Sequence, residues 1–138
     1  MSIAIVSEFR FYLGKAFQLL AGENAMPHII IEHSNGLEDS HDLQGLCDAL
    51  WHDLAEHPAI TAPDTVRTRT IAATASRIGI APQTFAHATM LLLPGRSDET
   101  RAELAQLILD HLDRHLSDVG SLTVRLDEIQ QPYVKRML

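Results

Sequence analysis

The chain has 138 residues, 46% hydrophobic and 21% charged, enough for one domain with a real core and too few for two comfortable ones. Its net charge is −7 and it has no basic stripe to neutralise phosphates, which argues against a nucleic-acid partner. The single cysteine, Cys47, excludes an intrachain disulfide and fits a reducing, cytoplasmic setting.

Residues 1–26 differ from the rest and read as an N-terminal extension. Phe9, Phe11 and Phe17 are three of the chain's 4 phenylalanines, set close to Tyr12. The segment lacks a basic start and a small-residue cleavage site, so it is a poor secretory signal. No apolar run is long enough to span a bilayer. Ile5, Phe9, Leu13, Phe17 and Leu20 recur at near-helical spacing. The extension is therefore either an artefact of start-site choice or an amphipathic docking helix.

From Pro27 onward the pattern is β-α-β followed by β-α-β. His28 to His33 reads as a strand ending at the turn Ser34-Asn35-Gly36. Asp39 or Ser40 is the expected cap of a helix whose core face is Leu43, Leu46, Cys47, Leu50 and Leu54. On that stripe Cys47 reads as a buried thiol. Pro58 and Pro63 bracket the path to a second strand, about Thr65 to Ala73, and Phe85 to Leu93 forms a third. Pro94-Gly95 turns into a helix from near Ser97, with Asp98 and Glu99 in its first turn. Leu104, Leu107, Ile108, Leu112 and Leu116 line its apolar face, Gly120 ends it, and Leu122 to Ile129 is the fourth strand.

Thr65-Val66-Arg67 and Thr123-Val124-Arg125 echo one another, and the matching order of elements suggests an internal repeat. Right-handed crossovers then give an α+β, four-stranded sheet with both helices on one face. The mostly apolar strands suggest that the other face is apolar and covered by further subunits.

One family joins these pieces. Pro27-His28-Ile29-Ile30-Ile31-Glu32, then Asp42-Leu43 with Gly45-Leu46, Val66-Arg67-Thr68-Arg69, and Phe85-Ala86-His87 leading to Gly95-Arg96-Ser97 resemble the tautomerase superfamily. The similarity is closest to its 5-carboxymethyl-2-hydroxymuconate Δ-isomerase family, and it covers nearly everything after the extension. The resemblance implies a homotrimer, no cofactor, and an amino-terminal proline as general base. Pro27 would then remove a proton from a 2-hydroxydienoate and help return one along the conjugated system, giving the unsaturated 2-oxo acid of aromatic catabolism. This needs a free amine: inside a peptide bond the Pro27 nitrogen is an amide with no useful basicity. An amine serves best as a base with its pKa near the working pH, and burial and nearby arginines both lower it.

A substrate with several carboxylates calls for arginine, whose planar fork binds carboxylate in bidentate fashion. Arg67 and Arg69 alternate by two on a strand and so share a face. Arg96 sits at a turn into a helix, where backbone N–H groups also favour an anion. Other signals are weak. His111 and His115 are four apart on a helix, but the intervening residues lack the glutamate of a zinc protease motif, so they read as exposed helix histidines and no metal is expected. His28 and His33 fall on opposite faces of their strand, and His87 has no derivable role. Two functions survive: a cofactor-free isomerase working through Pro27, and an inactive trimeric scaffold of the same fold with Pro27 blocked by the extension.

Overall fold

The computed structural model describes residues 27–138, so the extension expected at residues 1–26 lies outside the described residues. Strand β1 is His28–His33, and its alternation buries Ile29, Ile31 and His33 on one side while His28, Ile30 and Glu32 face the other. A single-turn helix, α1, follows at Leu37–Ser40, and the long helix α2 runs Leu43–Glu56.

The cap expected at Asp39 or Ser40 is instead Asp42, because those two residues lie in α1. Asp42 Oδ1 accepts the Gly45 N–H at 2.9 Å, satisfying a donor that the first helical turn leaves free. A Cβ at position 45 would run into that same carboxylate, so the glycine is part of the cap.

A 3₁₀ turn at Pro63–Thr65 leads into β2, Arg67–Ala72, and β3 spans Phe85–Leu92. The turn after β3 passes through Gly95 at φ 116, a left-handed conformation that favours glycine. Ser97 then caps helix α3, Asp98–His115, by accepting the Thr100 N–H at 3.2 Å. This helix ends at His115, before the Gly120 expected to stop it, and β4 is Ser121–Glu128.

The sheet order is β2-β1-β3-β4, with β1 parallel to β2, β3 parallel to β4, and β1 antiparallel to β3. The two β-α-β halves that the element order foretold therefore meet along a central antiparallel seam. The likeness extends to the hydrogen bonds at the strand ends. Arg67 N–H donates to Pro27 O at 2.9 Å, and Ser121 N–H donates to Thr84 O at 3.1 Å. Ala73 N–H donates to His33 O at 2.8 Å, and Ile129 N–H to Leu92 O at 2.7 Å. The repeated Thr-Val-Arg triplet, however, is not equivalent. Arg67 opens β2, whereas Arg125 is fifth in β4, and Ser121 holds the place matching Arg67.

Both long helices cover one face of the sheet. Ile29, Ile31, Ala86, Ala88, Met90 and Leu92 pack there against Leu46, Leu50, Leu54, Leu104, Ile108 and Leu112. Each fully buried leucine contributes about 1.5–3 kcal/mol, and together they fix the sheet on which the site is built.

The other face, uncovered among the described residues, is not the apolar one that strand composition suggests. Register places Arg67, Arg69, His28, Glu32, His87, Thr89, Thr123, Arg125 and Asp127 on it, with Ile30, Ile71, Phe85 and Leu91 between them. Composition takes no account of parity, and alternation turns most of the apolar residues of these strands toward the helices. Among the described residues, no helix is long and apolar enough to cross a membrane.

Candidate functional site

Strand direction gathers one end of the sheet. The starts of β1 and β2 lie beside the ends of β3 and β4, because β3 runs against β1 and β4 runs with β3. Pro27 is buried at this end, one residue before β1, with its carbonyl held by Arg67 N–H at 2.9 Å. Arg67 is the register partner of His28, and Arg69 lies two residues on along the same uncovered face. The structure thus brings Arg67 and Arg69 together beside the residue that follows Pro27.

Neither guanidinium has a carboxylate partner among the described residues. Arg67 Nη1 donates to Thr65 O at 2.9 Å, and its Nη2 meets the Met137 sulfur, a weak acceptor, at 3.5 Å. Arg69 Nη1 donates to His28 Nδ1 at 3.0 Å. The C-terminal segment, which the sequence pattern could not place, returns here. Tyr133 packs against the Leu93 and Ile129 cluster, and its hydroxyl lies 2.9 Å from His28 Nε2.

Burial, and then the charges of Arg69 and Arg67, hold the His28 imidazole below its ordinary value of about 6.5. The sign follows from linkage. The folded state resists protonating His28, so below pH about 6.5 the unfolded chain binds more protons and stability rises with pH through that window. Urea unfolding between pH 5 and 7 should therefore show a steeper gain with pH for the wild type than for His28→Asn. Parallel slopes would remove His28 as the source.

Arg96 takes a different position. Its Nη1 donates to Leu93 O at 3.0 Å and its Nη2 to Ala59 O at 3.1 Å, tying the turn after β3 to the loop after α2. Its Nε is buried without a partner, and burial lowers the pKa of its guanidinium. His87 pairs with Glu32 toward the other end of β1 and contacts Thr123 Oγ1 at 2.6 Å, away from Pro27.

His111, expected to be exposed, is buried at 5% exposure. Its Nε2 lies 2.6 Å from Asp53 Oδ2, so it links α3 to α2, and the His115 ring stacks on it. Periodicity alone treated the position as polar, yet it lies one residue before Leu112 on the buried face. Cys47 is buried as expected, and burial pushes its thiol upward.

An open cleft of about 810 Å³ adjoins the same end of the sheet. Leu91, Pro94, Arg101, Arg125, Gln130 and Gln131 are among its lining residues, and Leu91 is the register partner of His28. Two residues that matter here, His28 and Tyr133, escaped the sequence reading. Parity could have put His28 beside the arginines once the β1–β2 register was known. Nothing in the tail's pattern marks Tyr133.

Two parallel β-α-β units joined antiparallel, with both helices on one face, make up the tautomerase class of α+β fold. Residues 27–135 match the family described as 5-carboxymethyl-2-hydroxymuconate isomerase, and the chain belongs to that family. Among solved structures it is similar to a 5-carboxymethyl-2-hydroxymuconate delta-isomerase at 18% identity and TM-score 0.70, over 83% of this chain and 89% of that one. A 5-carboxymethyl-2-hydroxymuconate isomerase from Deinococcus radiodurans R1 gives 20% identity and TM-score 0.67, over 83% and 90%. A fused wild-type 4-OT described as a symmetric trimer gives 19% identity and TM-score 0.59, over 78% and 89%. A comparison with curated proteins finds no match.

Proposed function

We propose that this protein is a cofactor-free isomerase that moves a proton in a 2-hydroxymuconate-type dienol carboxylate, giving the unsaturated 2-oxo acid. Pro27 acts as the general base once its nitrogen is a free secondary amine. The observation that carries the reading is the placement of buried Pro27 beside Arg67 and Arg69, two cations with no carboxylate partner among the described residues. Arg67 takes a substrate carboxylate, Arg69 adds to the local positive field, and Arg96 braces the turn that closes this end through its backbone contacts. In a chain of net charge −7, such a local cluster is what draws in an anion. The direct test follows loss of the dienol absorbance with enzyme whose amino terminus has been fixed by intact mass.

A second reading is favoured by one feature of the sequence itself. Met26 precedes Pro27, and while that peptide bond persists the nitrogen is an amide. The same fold then serves as a binding or scaffold protein.

Assembly as a homotrimer belongs to the proposal. A sheet face that no helix among the described residues covers and the likeness to a protein described as a symmetric trimer support it. Light scattering at micromolar concentration should give three times the chain mass. A stable monomer there would sink the trimer, and a dimer would require a different site geometry.

A further inference from the structure

We propose that Tyr133 is a substrate-contacting hydrogen-bond donor that shares a carboxylate seat with Arg67, and that Arg69 and His28 are positioning residues that aim its hydroxyl. The inference rests on the isomerase reading above and assigns it a further site residue.

The argument begins with what each group can donate. A guanidinium has N–H groups only, so the 3.0 Å contact from Arg69 Nη1 makes His28 Nδ1 an acceptor. A neutral imidazole accepting at Nδ1 carries its proton on Nε2. That Nε2–H then donates across 2.9 Å to the Tyr133 oxygen. The phenol oxygen has become an acceptor, so its own O–H is left to donate elsewhere. A guanidinium two residues into β2 thus dictates the polarity of a hydroxyl in the C-terminal segment.

Packing keeps the hydroxyl in place. The Tyr133 ring is half-buried against the Leu93 and Ile129 cluster, and it meets the His28 ring edge-on, with centroids 6.2 Å apart. Arg67 flanks the same imidazole: it is the register partner of His28, and its Nη2 reaches Met137, four residues past Tyr133. A phenol O–H and a guanidinium that both stand near the His28 ring suit the two oxygens of one carboxylate. Burial and the two nearby charges resist a proton on His28 Nδ1, which preserves the tautomer that this arrangement needs.

The test uses the full chain and cis,cis-muconate, a stable conjugated dicarboxylate, as the probe. Calorimetry should show binding to the wild type and affinity about tenfold weaker for Tyr133→Phe, which keeps the packed ring and loses only the hydroxyl. Long-range ¹H–¹⁵N spectra, with His28→Asn identifying the signals, should show His28 protonated on Nε2 in the wild type. Arg69→Met should give mixed tautomers and cost less affinity in the Tyr133→Phe background than alone. Arg69→Lys, which retains a donor and the charge, should restore the Nε2–H form and most of the affinity.

Equal affinity for wild type and Tyr133→Phe, with binding still lost in Arg67→Ala, overturns this inference and leaves the isomerase site standing. A wild-type His28 protonated on Nδ1 overturns it as well. No binding of muconate to the wild type brings down both this inference and the reading beneath it.

Discussion

Protein that begins at Pro27 is expected to ketonise a 2-hydroxymuconate-type dienol, while the full-length chain should be no faster than its Pro27→Ala variant. The difference is chemical and does not depend on the fold. A secondary amine has a lone pair that takes a proton near neutral pH, whereas an amide nitrogen has given its lone pair to the carbonyl. A positioned general base contributes about 10²–10⁴-fold, so the gap should lie far outside assay error. Protein initiated at Met26 and trimmed of its methionine supplies the active arm, with intact mass confirming each amino terminus. Substantial, equal activity from both forms, the extension still attached, would defeat the proline-base mechanism and leave the family membership untouched.

Arg67→Ala should lower kcat/KM by about 1.5–3 kcal/mol, the range for a hydrogen bond to a charged group. The structure gives Arg67 one backbone carbonyl and one weak sulfur acceptor, so removing its guanidinium strands no internal carboxylate among the described residues. The loss should therefore appear in substrate turnover with little change in stability. A multiply charged substrate should lose more than a monoanionic analogue, because one fewer local cation opposes the general negative field. Wild-type kinetics from a correctly folded Arg67→Ala protein would remove the residue from the site.

Much of the frame was legible in the sequence because it is carried by local patterns. Leu43, Leu46, Leu50 and Leu54 recur at helical spacing, and all four are buried along α2. Ser97 and its acidic followers mark the start of α3 as expected. What the pattern could not give was register. Without it, strand composition does not reveal that Arg67, Arg69 and Arg125 share a face with His28 and Glu32. The Asp42 cap was missed for a related reason: Asp39 and Ser40 are equally good capping types, and only the separate turn of α1 removes them from competition.

The site was legible in its first members and blank in the rest. Parity along one strand was enough to pair Arg67 with Arg69, since alternation is a property of the strand itself. Tyr133 comes to His28 across 105 positions of chain, through a segment with no periodicity. His111 shows the opposite failure, a polar residue buried because one partner, Asp53, was waiting on the neighbouring helix.

The matched hydrogen bonds at Pro27 and Thr84 carry a consequence for ancestry and stoichiometry. If the two halves descend from one duplicated β-α-β unit, each ancestral copy had its own first residue, and fusion left the second copy's in mid-chain at Thr84. One polypeptide has a single amino terminus, so the doubling of the scaffold could not double the reactive end. A reagent that modifies only a terminal proline amine would label such a protein once per chain, however many β-α-β units the assembly contains. The spared half is then free to diverge at the Thr84 end of the sheet, opposite the end where Pro27 lies.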